Sequence, residues 1–415
     1  MPVAERIFEH NHQFLATNLA DLVTKMAKMR EDVFPFYRAT AHLFYRDMAV
    51  LPPSRYASER TARTWLAGDA HLANFSAMRD ASGTEVFAVC DFDEGYPGQY
   101  VWDVRRLAAS LLLASYGAEI APAEREAAVG AMAAAYLERM AAFQGNNSEL
   151  KFRLTADNTS GIVQKTIRKA AKADRAAFLQ KFTGPDTQAV SAATRAAVEA
   201  AMPQYLRSIA RPKRKPAAFY TLLDLRQRFG AGMGSLGKLR YYALLEEQAG
   251  APGDKLILEL KQAIPSSVAL AGGETMKPAD YHNHEGYRIA RAQRALLLNA
   301  DVLTGCTTIA GMPFHAHEKA PTDKDFKPED IASAEELRTA AGFLGMALAS
   351  AHALADEDYD DTLAGVSIDR RITEAVTDRA GFIAELTAFA SGYAARVRLD
   401  WEAFKAAQDR GDPLY

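Results

Sequence analysis

Between Phe229 and Lys238 the chain sets glycine at four of eight consecutive positions, Gly230, Gly232, Gly234 and Gly237, with strand-like sequence on both sides. A backbone this rich in glycine turns at φ values closed to other residues. It also approaches a bound group without Cβ clashes, so its amides can meet phosphate oxygens. The flanks restrict what the loop can belong to. LRYYALLEE after it reads as a strand where a dinucleotide-binding fold requires a helix, and Gly237-Lys238 is followed by Leu239, so the ending of a Walker loop is missing. The expectation is a glycine-rich turn between two antiparallel strands, 218–229 and LRYYALLEE, then an APGD turn and a third strand, LILELK. Ser235 inside the turn is a further candidate phosphate contact. Alternation on the third strand sets Ile257, Glu259 and Lys261 on one face. A lysine emerging from an apolar strand needs a partner, which a nucleotide phosphate supplies; the alternative is a strand-end lysine reaching solvent.

A second constellation lies far upstream. GDAHLAN at 68–74 is followed by a predicted hairpin, with a RDASG turn and the apolar run VFAVC, that delivers Asp91-Phe92-Asp93-Glu94. Asp69 and Asn74, five residues apart on one loop, together with Asp91 can supply one base and two oxygen ligands for a hard divalent cation, and magnesium suits that set. Asp93 either adds a metal contact or caps the turn. His71 is a catalytic or a buried, hydrogen-bonded imidazole, and Arg38 either neutralises phosphate or pairs with an acid. Asp103 is expected to buttress the loop through hydrogen bonds rather than perform chemistry. Glu274 and Glu285 are the candidate acidic partners of Lys261, and Lys238 and Arg240 approach phosphate or face water.

Composition narrows the function classes. With 49 Lys+Arg against 52 Asp+Glu, a formal net charge of −3, the electrostatic case for a dedicated nucleic-acid binder is absent. The basic run RPKRKP at 211–216 reads as an exposed linker after a solvated helical insertion at 150–210. Two cysteines are too few for a disulfide framework, and the start MPVAERIFEH lacks the apolar stretch of a signal peptide, so a cytoplasmic protein is expected. The longest uncharged run, 339–355, is shorter than the roughly 20 residues of a bilayer helix. Residues 1–60, 102–116, 122–143 and those from about 328 onward read as helical, with Pro122 suited to a first turn. His282-Asn283-His284 echoes a nuclease motif by letters only, and His315 and His317 read as two surface histidines near a hinge.

These parts match the inventory of a protein-kinase-like site: a glycine-rich hairpin, a strand lysine, a catalytic-loop Asp and Asn, and a metal-binding Asp. The sequence resembles a bacterial family catalogued as domain of unknown function 2252, through FPFYR at 34–38, GDAHLANF at 68–75, DFDEGYPGQYVWDVRRLAAS at 91–110, GAGMGSLGKLRYYALL at 230–245 and ELKQA at 259–263. It is also distantly similar to aminoglycoside phosphotransferases and other small-molecule kinases, whose catalytic loop, metal Asp and downstream segment are echoed by Asp69, Asn74, Asp91 and Trp102-Asp103. The order differs, because the catalytic elements here precede the nucleotide-holding ones. Ala67 stands two before Asp69 where many kinases carry histidine, and Asp93 stands where a DFG triplet has glycine.

The expectation is therefore an α+β, protein-kinase-like two-lobed fold in circularly permuted order. A first part of the helical catalytic lobe spans 1–216, a β-rich nucleotide lobe 217–325, and the helical remainder 326–415. LGMALASAHALA would take the place of the helix that leads into the catalytic loop. The resemblance implies transfer of phosphate from ATP, with Mg2+, to a hydroxyl of an unidentified small molecule. Asp69 would be the base, Asn74, Asp91 and Asp93 would hold the metal, and residues 230–237 with Lys261 would hold the phosphates. A non-catalytic nucleotide-binding regulator, a metal-dependent phosphohydrolase and AMP transfer are the alternatives.

Overall fold

Caps written into the sequence set the first helices. The computed structural model describes residues 1–246, 255–272, 276–356 and 365–415. It opens with α1 (Val3–Asn11), α2 (Leu19–Glu31), α3 (Val33–Ala39) and α4 (Ala41–Met48). The Asn18 side chain accepts from the Asp21 amide and Asp32 from the Phe34 amide, each meeting an otherwise orphaned helix N–H. A short strand, β1 (Thr64–Leu66), leads into the GDAHLAN loop. The expected hairpin follows as β2 (Phe75–Arg79) and β3 (Glu85–Val89), its turn tied by the Asp80 carboxylate accepting from the Ser82 and Thr84 amides. Then β4 (Tyr96–Gly98) pairs antiparallel with β1. Because of that pairing, the loops after β1 and after β3 end side by side.

The amphipathic helices α5 (Tyr100–Ala114) and α6 (Pro122–Phe143) come next, the latter with proline in its first turn as expected. They are followed by α7 (Gly161–Ala171), α8 (Arg175–Leu179), β5 (Thr187–Ala189) and α9 (Ala192–Ser208). The meander is β6 (Leu222–Arg228), β7 (Arg240–Glu246) and β8 (Lys255–Gln262). The expected APGD turn between the last two lies outside the described residues, as does Glu274. After α10 (Ser267–Gly272) and α11 (Glu285–Leu296), β9 (Gly305–Ile309) and β10 (Met312–Lys319) complete a six-stranded sheet in the order β5-β6-β7-β8-β10-β9. On leaving it the chain adds β11 (Lys324–Asp325) to β2, and ends in α12 (Ala334–Leu354), α13 (Ile368–Ala375) and α14 (Arg379–Arg410). The architecture is mixed α+β.

Alternation divides the sheet into two chemical faces. Leu225, Tyr241, Ala243, Leu258, Leu260 and Phe314 pack on Val198, Ala201 and Tyr205 of α9, forming a core separate from that of the helices. The segment read as a solvated insertion therefore ends in a helix that covers this sheet, upstream of residue 217. Register puts Arg240, Lys261 and His315 in one row of the other face and Tyr242, Glu259 and His317 in the next. Charges inside a fold need partners. Glu259 accepts from Arg240 at 2.9 Å and lies 2.9 Å from Nε2 of His317. The two histidines are consequently not surface groups: His315 is buried and stacks on His317 with ring centroids 5.3 Å apart. Among the helices, Gly345 lets α12 cross α6 closely, since a Cβ there would stand 2.2 Å from the Met132 carbonyl oxygen.

Candidate active site

The loop after β1 is anchored from below. Asp103, in the first turn of α5 and fully buried, accepts from the amides of Ala67 at 2.7 Å and Gly68 at 3.1 Å. Gly68 has φ +80°, and a Cβ on it would meet the Glu94 carbonyl oxygen at 2.1 Å, so glycine is what allows the two loops to touch. Nε2 of His352, at the end of α12, lies 3.3 Å from the same carboxylate. Asp103→Ala should cost about 3 kcal/mol, as expected for removing a buried, hydrogen-bonded charge. Amide exchange at Ala67 and Gly68 should accelerate more than at helix α6; equal protection in variant and parent would contradict the anchoring.

Asp69 follows. Its Oδ1 accepts from Nε of Arg106 at 2.5 Å, and the fully buried Arg106 guanidinium lies over the Tyr37 ring and donates to the Tyr37 carbonyl at 3.2 Å. Burial pushes the Asp69 carboxyl up to about 6, against the pull of Arg106 and with a further push from Glu94 and Asp91. Asn74 donates to the Asp69 carbonyl at 2.8 Å, closing the loop on itself and leaving Oδ1 as its acceptor end. His71 is buried, and its Nδ1 accepts from the Ala73 amide, which puts the ring proton on Nε2, 3.6 Å from Oδ2 of Asp69. Burial, with the charges of Arg38 and Arg106, holds this imidazole well below 6.5.

The second loop and the sheet converge on the same place. Oδ1 of Asp91 accepts from the Asp93 amide, and Oδ2 faces the Lys261 ammonium at 3.5 Å. Asp93 lies 2.8 Å from Lys261 and 2.9 Å from Lys238. Burial opposes ionisation of Asp93, but the two lysines hold its carboxyl well below the usual range. Burial likewise works against Lys261, yet Asp91 and Asp93 raise its pKa. The glycine-rich loop lies over these groups. Gly230 donates to Asp21 of α2 at 3.0 Å, Ser235 reaches Asp93 at 3.5 Å, and a Cβ on Gly234 would stand 3.8 Å from Oδ2 of Asp69. At Gly232 and Gly237 the backbone takes φ of +72° and +104°, a region that suits glycine. Asp69, Asp91, Asp93, Gly234, Lys238 and Arg38 all line one cleft enclosing about 370 Å³, part of it open to solvent.

Residues 19–407 match the family described as uncharacterized protein conserved in bacteria, DUF2252. The chain belongs to this family. No curated protein and no solved structure matches it. No helix among the described residues of this DUF2252 chain is long and apolar enough to cross a membrane.

Several expected contacts fall elsewhere. Glu285 is spent on Arg288, 2.5 Å away in the first turn of α11, and not on Lys261. Arg288 in turn donates to the carbonyls of Asp93, Gly95 and Ile264 at 2.9, 2.6 and 3.0 Å, clamping the acidic loop. Lys238 and Arg240 neither face water nor stand free: both are buried in ion pairs, with Asp93 and Glu259. Arg38 has no ion-pair partner among the described residues, and its buried Nε donates to no acceptor there. Sequence reasoning passed over Arg106, although its spacing of three from Asp103 on one helix puts both on the face toward the loop. It also passed over His10 and His42, which line the same cleft and carry no local signal.

A divalent cation fits part of this donor set. Among the described residues no three His, Cys, Asp or Glu side chains are grouped as a ready metal cage. Magnesium, however, is ordinarily held by one or two carboxylates, with water and substrate phosphates completing its shell. Asp91, its side chain 35% exposed, and Asp93 are the carboxylates that would hold it, and the Lys261 ammonium neutralises them here.

Proposed function

We propose that this chain is an ATP- and Mg2+-dependent phosphotransferase acting on a hydroxyl of a small molecule, through a protein-kinase-like site whose parts follow in circularly permuted order. The observation that carries this reading is the meeting of Lys261 with Asp91, 170 residues earlier in the chain, beside Asp69. The sheet supports it further: the glycine-rich loop joins the first two strands of the meander, the lysine is on the third, and α11 follows before the remaining strands. So does α12, whose end lies against Asp103 under the catalytic loop.

Bound Mg·ATP would supply the γ-phosphoryl group and depart as ADP, the cation neutralising part of the phosphate charge. Asp69 takes the proton of the acceptor hydroxyl on Oδ2, the oxygen that faces the glycine-rich loop, while Arg106 holds Oδ1 and keeps the carboxylate aimed. Lys261 transfers its ammonium from Asp91 and Asp93 to the phosphates, freeing the two carboxylates for the metal. Asn74 fixes the loop and offers its remaining oxygen. The amides of residues 230–237 and Ser235 cover the phosphates.

One observation favours a non-catalytic nucleotide-binding regulator over the enzyme. Lys261 is held by the acidic loop, and Glu285, a helix-borne candidate to position it, is committed to Arg288. Calorimetric titration of ATP with and without Mg2+ tests both readings. Saturable, Mg2+-dependent binding, weakened about tenfold or more in Asp91→Ala, is expected. Absence of binding under both conditions would overturn the nucleotide site itself, while binding without any phosphate or AMP transfer would leave the regulator.

A further inference from the structure

We infer that the wall of the cleft formed by His10 and His42 is an anion subsite. On the phosphotransfer reading, the acceptor is then a small hydroxylated molecule carrying a phosphate or carboxylate group. The inference that this subsite holds the acceptor rests on that reading; the subsite itself does not.

Three observations carry it. His10 of α1 and His42 of α4 stack in parallel, ring centroids 4.0 Å apart, and both line the cleft that holds Asp69 and Arg38. The Nε2 atom of His42, a residue 6% exposed, is buried with no hydrogen-bond partner among the described residues, and so is Nε of Arg38. Buried polar atoms are nearly always paired, so two orphans on one cleft wall mark a place shaped for a ligand.

The charges around the rings determine what that ligand is. The groups acting on the two imidazoles are Lys25 of α2, Lys238 of the glycine-rich loop, Arg6 of α1 and Arg46 of α4. The nearby acids are engaged: Glu9 pairs with Arg46, Asp47 with Arg6 and Arg396, and Glu94 accepts from the Ser267 amide. Lys25, buried, donates to Asn11 at 2.9 Å, and burial with Lys238 pushes its ammonium down to about 7, which leaves Arg38 as a cation of this wall without an ion-pair partner among the described residues. Burial, with the nearby cations, keeps both imidazoles well below 6.5, so each ring is neutral and presents one N–H. A wall of two imidazole N–H donors and the Arg38 guanidinium, which has no ion-pair partner among the described residues, is complementary to an oxyanion, with which it forms charge-assisted hydrogen bonds.

Titration of the full chain with inorganic phosphate, and in parallel acetate, tests the subsite, followed by calorimetry and by the imidazole NMR signals of His10 and His42. Saturable binding of at least one anion that perturbs these two rings is expected. It should weaken about tenfold or more in His42→Ala and stay within about twofold of the parent in Lys213→Ala, a charge removed from the exposed segment 211–216, because charge-assisted bonds to the subsite hold the anion. If His42→Ala fails to fold, His42→Gln, which keeps the volume, carries the comparison. Equal anion affinity in parent and His42 variants, or an equal loss in Lys213→Ala, would overturn the subsite. Anion binding at the rings with no Mg·ATP binding would retain the subsite and remove only the phosphotransfer reading.

Discussion

Asp69→Asn is expected to slow phosphoryl transfer from Mg·ATP by about 10²- to 10⁴-fold, the range that a positioned general base contributes, with Mg·ATP affinity held within about twofold, since the lost group acts on the acceptor. The asparagine retains an oxygen for Arg106 but cannot take a proton. The parent's pH dependence should report the same carboxyl. Burial raises it to about 6, so the rate should climb through pH 6 and level above it, and this limb should vanish in the variant. Stability moves the other way. A carboxyl whose folded pKa exceeds the unfolded value contributes stability below the unfolded value and loses it as pH rises through the folded one. At pH 8 burial of the ionised Asp69 is a burden to the fold, but Asp69→Asn also leaves the buried Arg106 guanidinium without its counter-charge, so the unfolding midpoint of the variant should fall, and less at pH 8 than the loss of a pair with no desolvation burden. Phosphate release from Mg·ATP, with water as acceptor or with an acceptor found by screening, measured from pH 5 to 8, provides the check. A variant as fast as the parent would remove Asp69 from the chemistry.

Asp93→Ala should destabilise the protein by about 3–5 kcal/mol, the range for removing one partner from a buried ion pair. It leaves Lys238 without a carboxylate, and Lys261 with only Asp91 at 3.5 Å. The double variant Asp93→Ala, Lys238→Met should recover part of that loss, because the second change removes the orphaned charge. The pH dependence has a definite sign. The lysines depress the Asp93 carboxyl, so its contribution is present above the unfolded value of about 3.9 and is lost as pH falls through the folded one. Urea unfolding at pH 7 and at pH 3 should therefore show the parent's advantage over Asp93→Ala shrinking at the lower pH. An undiminished gap would show that the pair is not what the substitution removed.

Local chemistry made some of this legible in advance. The bounds of α6 follow from Pro122 at its first turn and an apolar spacing that continues to Phe143, signals contained within the helix itself. The hairpin carrying Asp91 and the face shared by Glu259 and Lys261 follow from strand period and turn residues. The burial of α9 under the sheet was not legible, because its many polar residues hide a short apolar stripe of Val198, Ala201 and Tyr205 whose partner strands come later in the chain. His315 and His317 were misjudged for a related reason: a strand's alternation names a face but not what covers it.

By itself the sequence determined which groups are delivered on which loops: Asp69 and Asn74 after one short strand, Asp91 and Asp93 after a hairpin, four glycines between two strands, and Lys261 at the end of a third. These are properties of a few consecutive residues, governed by backbone sterics and side-chain period. Only the tertiary structure decided their partners. Asp93 met Lys238 across 145 residues, Asp69 met Arg106, Glu285 turned to Arg288, and two histidines from separate helices stacked beside the cleft. Such pairings come from burial, which forces every enclosed charge to find a counter-charge among whatever the packed elements bring near, and no local pattern records that choice.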